Sequence, residues 1–191
     1  MQRRASLAAV SLLAVLGASA CSPGGSTETP GSNAPESSTA SDAPKVEKPK
    51  NLKAVTDACQ LLTKQQVSDL GGTNERRPPQ QSTNTYGEPS CQWANDAFTA
   101  TVSINTKFGG LKRVMQNRKS RQDYKPTQLE GYEGGRVGEQ SNLCRIELGI
   151  ADDQSLEINY AKNAGGTPEM DDSCGFAEKI TSEALKNVPD A

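Results

Sequence analysis

Histidine is missing altogether from this 191-residue chain. Its absence excludes Ser-His-Asp and Cys-His nucleophilic machinery, the HExxH zinc site and imidazole ligation of a metal. Aromatic residues are scarce, 4% of the chain with one tryptophan, Trp93. A lone tryptophan beside a cysteine in strand-like sequence reads as core packed on a disulfide, not as a ligand platform. No Walker-type loop is present, and the Gly-Gly pairs at 71–72, 109–110, 134–135 and 165–166 read as turn punctuation. No loop has the EF-hand spacing, so neither a metal nor another cofactor is expected. Excess positive charge is lacking too: 21 basic against 23 acidic residues, unlike the strongly basic domains that bind nucleic acid.

What is present begins with MQRR and an apolar stretch, ASLAAVSLLAVLG, followed by Ala18-Ser19-Ala20 and Cys21. A short basic segment, an apolar segment and an A-x-A triplet are the layout of a secretory signal. The stretch falls short of the roughly 20 residues of a permanent membrane span. The expected organisation is a signal peptide over 1–20, whose removal takes away Arg3 and Arg4 and moves the formal charge from −2 to −4. Residues 22–44 are almost wholly Ser, Thr, Pro, Gly and Ala, with no large apolar side chain. Such a tract cannot bury enough surface to offset its chain entropy. A disordered tether over 21–53 and one domain over 54–191 are expected.

A small-residue triplet before a cysteine, then a Ser/Gly/Pro-rich spacer, resembles the lipobox of bacterial lipoproteins. The resemblance implies a diacylglyceryl group on the Cys21 thiol, anchoring the chain to the outer face of the cell membrane. Two acyl chains supply what stable anchoring needs. Ala18 stands where leucine is commoner in that motif, and ordinary cleavage after Ala20 gives the alternative, a secreted protein.

Four further cysteines, Cys59, Cys91, Cys144 and Cys174, lie in patterned sequence. In an exported chain an even set reads as a disulfide framework. Thr63 with Gln66 forms a capping box and Leu62 with Val67 a hydrophobic staple, which starts a short helix. Residues 73–90 read as a polar loop. Phe98, Ala100, Val102 and Ile104 alternate with polar residues, as do Cys144, Ile146, Leu148 and Ile150; both are half-buried strands, each with a hairpin partner. Leu111, Val114 and Met115 recur at helical spacing, and Phe176, Ile180, Ala184 and Val188 step by four. The expected fold is α+β: an antiparallel sheet with helices packed to one side, in the order helix-strands-helix-strands-helix. The pairing Cys59–Cys91 and Cys144–Cys174 would pin a terminal helix to the sheet at each end; two other connectivities stay open.

Asp57-x-Cys59-x-Leu61-Leu62-Thr63, Cys91-x-Trp93, a Cys-led strand with a D-D-Q-S-L hairpin, and Cys174-x-x-Ala177-x-x-Ile180 together resemble a family of actinobacterial lipoproteins. Its shared domain is catalogued as of unknown function. The likeness covers about residues 55–189; it implies fold and location and brings no catalytic residues. The domain is similar, more distantly, to the extracellular sensor domain of some actinobacterial receptor kinases.

Paired carboxylates, Asp152-Asp153 and Asp171-Asp172, are the only candidates for hydrolysis of wall polysaccharide, and both read as turn or helix-start residues. The sharper feature is charge. Residues 107–125 hold seven cations against Asp123 alone. Lys112, Arg113, Arg118, Lys119 and Arg121 form either a solvated helix face or a docking surface for an anionic envelope component. The reading is a non-enzymatic, membrane-anchored envelope protein that binds a ligand or partner, possible partners being an envelope protein or an anionic envelope polymer. A carboxylate-based hydrolase is the alternative.

Overall fold

Seven strands, all antiparallel to their neighbours, form one sheet in the order β1-β2-β3-β7-β6-β5-β4. They are β1 Arg77–Thr83, β2 Pro89–Ala94, β3 Phe98–Asn105, β4 Tyr124–Leu129, β5 Tyr132–Val137, β6 Leu143–Gly149 and β7 Ser155–Lys162. Three α-helices accompany them: α1 Lys64–Asp69, α2 Leu111–Ser120 and α3 Ser173–Leu185. The computed structural model describes residues 45–191; the signal-peptide region, Cys21 and residues 22–44 lie outside the described residues.

Period-two patterning decides which face is dry. Phe98, Ala100, Val102 and Ile104 of β3 share a buried face with Ile146 and Leu148 of β6 and Leu156 and Ile158 of β7. On that face lie α1 and α3. Capping residues set both helices: Thr63 and Gln66 exchange reciprocal bonds at α1, and Asp172 accepts from the Gly175 N–H at α3. Of the three pairings open to four cysteines, the structure has Cys59–Cys91 and Cys144–Cys174. Each fastens a helical segment to the buried face and closes about thirty residues of chain, worth roughly 3 to 4 kcal/mol in the chain-entropy account.

The expected fold class is corrected here. The helices are interspersed with the strands, together with 3-10 segments at Leu52–Ala54, Ala58–Leu61 and Pro168–Asp171, and they do not sit to one side. The α2 helix lies on the opposite face. Glu147 of β6 points away from Ile146 and Leu148, and it accepts a hydrogen bond from Asn117 of α2 at 2.7 Å. Beneath α2, Val114, Tyr124 and Val137 form a small second core. The sequence hid this because α2 buries only a narrow stripe, Leu111 and Val114, on a face that otherwise reads as polar.

Two glycines expected to be turn punctuation make that second layer possible. A Cβ on Gly135 would lie 1.9 Å from Cζ of Tyr124, so its absence lets the ring lie on β5. Gly110, with φ +92°, precedes α2, and a Cβ there would meet the Asp152 carbonyl oxygen at 2.2 Å. Residues 73–90, expected as loop, contain β1. Its Pro78 and Pro79 fall where the register shifts between Arg77 and Gln80, tolerable because β1 is an edge strand. Pro126 occupies the other edge strand, β4.

The folded unit also takes in residues that the sequence reading placed in the tether. Leu52 is fully buried, the Lys50 N–H donates to the Ile150 carbonyl, and Tyr132 donates its hydroxyl proton to the Lys48 carbonyl. The Val46 N–H donates to Asp152 Oδ1 at 3.0 Å.

Gly135→Ala is expected to destabilise the fold by about 1–3 kcal/mol by overpacking against Tyr124, read as a lowered urea midpoint; an unchanged or raised midpoint contradicts the packing described. Burial raises the Glu147 carboxyl above the ordinary glutamate range; the Asn117 N–H pulls the other way and the facing Glu157 adds to the rise. A carboxyl raised on folding binds its proton more tightly in the native state, so stability falls as pH rises from its unfolded to its folded value. Glu147→Gln keeps an acceptor for Asn117 and removes that loss. Its melting temperature is expected to exceed that of the parent at pH 8, with the difference shrinking as pH falls through the ordinary glutamate range. A pH-independent difference between the two would contradict it.

Candidate functional site

The helix α2 covers β4 to β6 and leaves the rest of its sheet face open. Register builds that open floor row by row. Gln92, Thr101, Asn159 and Arg145 stand side by side across four strands, with Ser90, Ser103, Glu157 and Glu147 in the next row. Two adjoining depressions of about 400 and 370 Å³ lie over it and share Thr101, Arg145 and Asn159. One end is lined by Val137, Leu143 and Ala161, the other by Ser82, Ser103 and Asn105. The result is a preformed trough with an aliphatic end and a hydroxyl- and amide-rich end.

Arg145 sits at its centre, half-buried, with no ion pair or side-chain hydrogen bond among the described residues. Asn159 instead donates to Glu157 at 2.9 Å. A guanidinium presents five donors in a fixed fork, so this one is available to a carbonyl, carboxylate or hydroxyl entering the trough. Arg136 offers the contrast. It holds Glu178 of α3 through two bonds of 2.8 and 2.6 Å on the dry face. Burial alone would raise Glu178, but Arg136 and Thr127 outweigh it and hold the carboxyl below its usual range.

At the polar end of the trough the hairpin joining β1 and β2 carries Tyr86, and the segment before α2 carries Phe108. Their rings are 5.2 Å apart. Tyr86 is 44% and Phe108 59% exposed, whereas the six other aromatic side chains of the sequence are buried. Lys112, Arg113 and Gln116 complete a shallow depression of about 330 Å³ beside them.

The sequence-predicted residues fall as follows. Cys21 lies outside the described residues. Cys59, Cys91, Cys144 and Cys174 are oxidised, which leaves no free thiol among the described residues. Lys112, Arg113, Arg118 and Lys119 are all exposed on α2 and make no ion pair among the described residues. They do not form a single face: at 100° per residue Lys112 and Lys119 nearly align, whereas Arg113 and Arg118 lie to either side of them. Arg121 leaves the group, because Asp123 takes its guanidinium in bonds of 3.0 and 2.7 Å. That hydrogen bonding holds Asp123 below the ordinary carboxylate range.

The acidic pairs are engaged as well. Asp152 accepts from Val46, Asp153 pairs with Lys53, Asp171 with Lys162, and Asp172 caps α3. No group of three or more metal-ligating side chains occurs among the described residues. Trp93 is buried, as its place beside Cys91 suggests.

Sequence reasoning passed over Arg145 and the Tyr86–Phe108 pair. Arg145 alternates with Cys144 and Ile146 and so faces away from the core, but nothing local says that α2 stops short of it. Tyr86 and Phe108 are 22 positions apart and meet only through the sheet.

No curated protein and no solved structure matches the chain. The family model described as "Protein of unknown function (DUF3558)" matches residues 16–187. That match extends past the described unit at its N-terminal side and spans all seven strands. The chain therefore belongs to the DUF3558 family, whose shared domain carries no assigned function.

Proposed function

We propose that this protein is a non-enzymatic envelope lipoprotein, anchored by Cys21, whose folded unit binds a ligand or partner in the trough around Arg145. The observation that supports the binding role is the half-buried, unpartnered guanidinium at the centre of a preformed depression. A fork of five donors with no acceptor among the described side chains is free to bind an entering oxygen. The sequence has no histidine, and its domain cysteines are tied up in disulfides. The carboxylate pairs named for hydrolysis are committed to caps and ion pairs, so nothing specific favours a hydrolase. The anchoring role rests on the A-S-A-C segment and the tract after it.

Intact mass of the membrane-extracted protein tests the anchor. The expected species begins at Cys21, carries an acyl-glyceryl adduct, and weighs four hydrogens less than the reduced form. A water-soluble species with unmodified Cys21 overturns it. Retention of the Cys21→Ser chain on cell-wall fragments freed of membrane tests the trough. Arg145→Gln is expected to lower retention at least severalfold with the melting temperature unchanged. Equal retention of parent and variant removes the trough from the reading.

A further inference from the structure

We infer that Tyr86, Phe108, Lys112 and Arg113 form a docking surface for an anionic phospholipid bilayer, which holds the folded unit against the membrane at one defined corner. The inference deepens the anchored reading above and rests on it for the side of the membrane, not for the chemistry of the contact.

Two polar clamps, Asn84 and the buried Glu88, present the aromatic pair. The side chain of Asn84 accepts from the N–H groups of Tyr86 and Glu88, and donates to the Ile104 carbonyl and to Asn105 Oδ1. The hairpin tip is thereby tied to the end of β3. Glu88, 3% exposed, accepts from the Thr106 N–H at 2.8 Å, the Thr106 hydroxyl at 2.6 Å and the Lys107 N–H at 3.3 Å. The segment leading to Phe108 is thus fixed to the same hairpin. The backbone that carries the two rings is thus fixed on both sides, while the rings themselves are left in water. They form a rigid apolar knob on a surface whose other aromatic groups are all buried.

Charge selects the occupant. Lys107, Lys112 and Arg113 surround the knob, exposed and without an ion pair among the described residues. Of the nearby carboxylates, Asp153 is paired with Lys53, Glu88 is buried beneath the knob under three donors, and Glu157 lies on the trough floor, so the cations are the charges that face outward beside the rings. Amphipathic rings flanked by cations match a headgroup layer, where rings sit at the acyl boundary and ammonium and guanidinium groups meet lipid phosphates. A soluble polyanion would use the cations and leave the rings in water.

Chain direction gives a second, independent argument. The described chain starts beside Asp152, through the Val46 bond, and the Asp152 backbone packs on Gly110, two residues after Phe108. Forty-four residues precede that point, and Cys21 is among them. The segment bearing the proposed anchor therefore enters the fold beside the turn between β6 and β7, at the end of the sheet that also carries the knob. An anchor and a docking surface at one end of the sheet can engage the same membrane together, and each raises the effective concentration of the other.

Vesicle flotation of the chain from residue 21 onward, with Cys21→Ser so that no acyl group contributes, tests the contact apart from the anchor. Binding is expected to vesicles containing phosphatidylglycerol, not to phosphatidylcholine alone, and is expected to weaken with salt. Lys112→Gln and Arg113→Gln are each expected to weaken it about fivefold. Phe108→Ala is expected to weaken it at least as much, whereas Arg118→Gln with Lys119→Gln is expected to change it less than twofold. Phe108→Trp supplies a positive signal, a blue-shifted emission on adding the anionic vesicles, against the constant signal of buried Trp93. No binding by the unacylated chain overturns the inference, even if intact mass shows an acylated Cys21. So does binding that Phe108→Ala leaves intact and that a soluble phosphate polymer abolishes. Binding here with an unmodified native Cys21 would overturn the anchor alone.

Discussion

The ladder between β3 and β7 joins residues 98–105 to residues 155–162 along eight consecutive pairs, and the other features of the fold are arranged around it. To one side lies a meander of three strands, to the other a meander of four. Neither has a closed core by itself, because Val102 and Ile158 each bury the other. The ladder also spans the longest sequence separation in the sheet, so its loop-closure entropy must be met before the contacts reward it. The two disulfides lie outside this joint, one in each meander. They restrict each half of the unfolded chain and leave the junction to packing.

The same joint produces the asymmetry of the two faces. On one, α1, α3 and both disulfides cover a continuous apolar core, bordered by the Arg136–Glu178 pair. On the other, α2 is short and covers only the four-stranded half. The exposed remainder combines β3 and β7 at the junction with β1 and β2, which is why Arg145 and Asn159, from one meander, share a trough with Thr101 and Ser103 from the other. The candidate site is thus a by-product of incomplete cover, with a polar floor that water tolerates.

Much of this was legible in the residues. Alternation around Phe98–Ile104 and Cys144–Ile150 marked two central strands, and the Thr63–Gln66 box marked a helix start, because these signals are local and physical. The polar residues of the same strands showed which side chains leave the core. What stayed hidden depends on distance. Whether a polar face is open or roofed depends on where α2 lands, and that is decided by Gly135 making room for Tyr124 and by Gly110 meeting the Asp152 carbonyl. Both glycines look like turn residues in the sequence. Prolines misled in the same way at β1, where an edge position and a register shift absorb them. The aromatic pair had no local signal at all, since Asn84 and Glu88 hold it together through contacts with residues 104–107.

The ends of the folded unit are bonded to each other. Lys50 bridges Asp190, the Ala191 N–H donates to the Pro49 carbonyl, and the Asn51 N–H donates to the Pro189 carbonyl at 2.7 Å. This arrangement has a mechanical meaning. Tension arriving along the chain ahead of residue 45 is taken first by the Val46–Asp152 contact, then by the Tyr132 hydroxyl on the Lys48 carbonyl, and then by the few bonds of residues 49–51. Beyond those stands Leu52, fully buried, and only past it the first disulfide at Cys59. A pull on the leading segment therefore peels a short strip from the surface one bond at a time, and the strand ladders behind it stay paired until the buried leucine is drawn out.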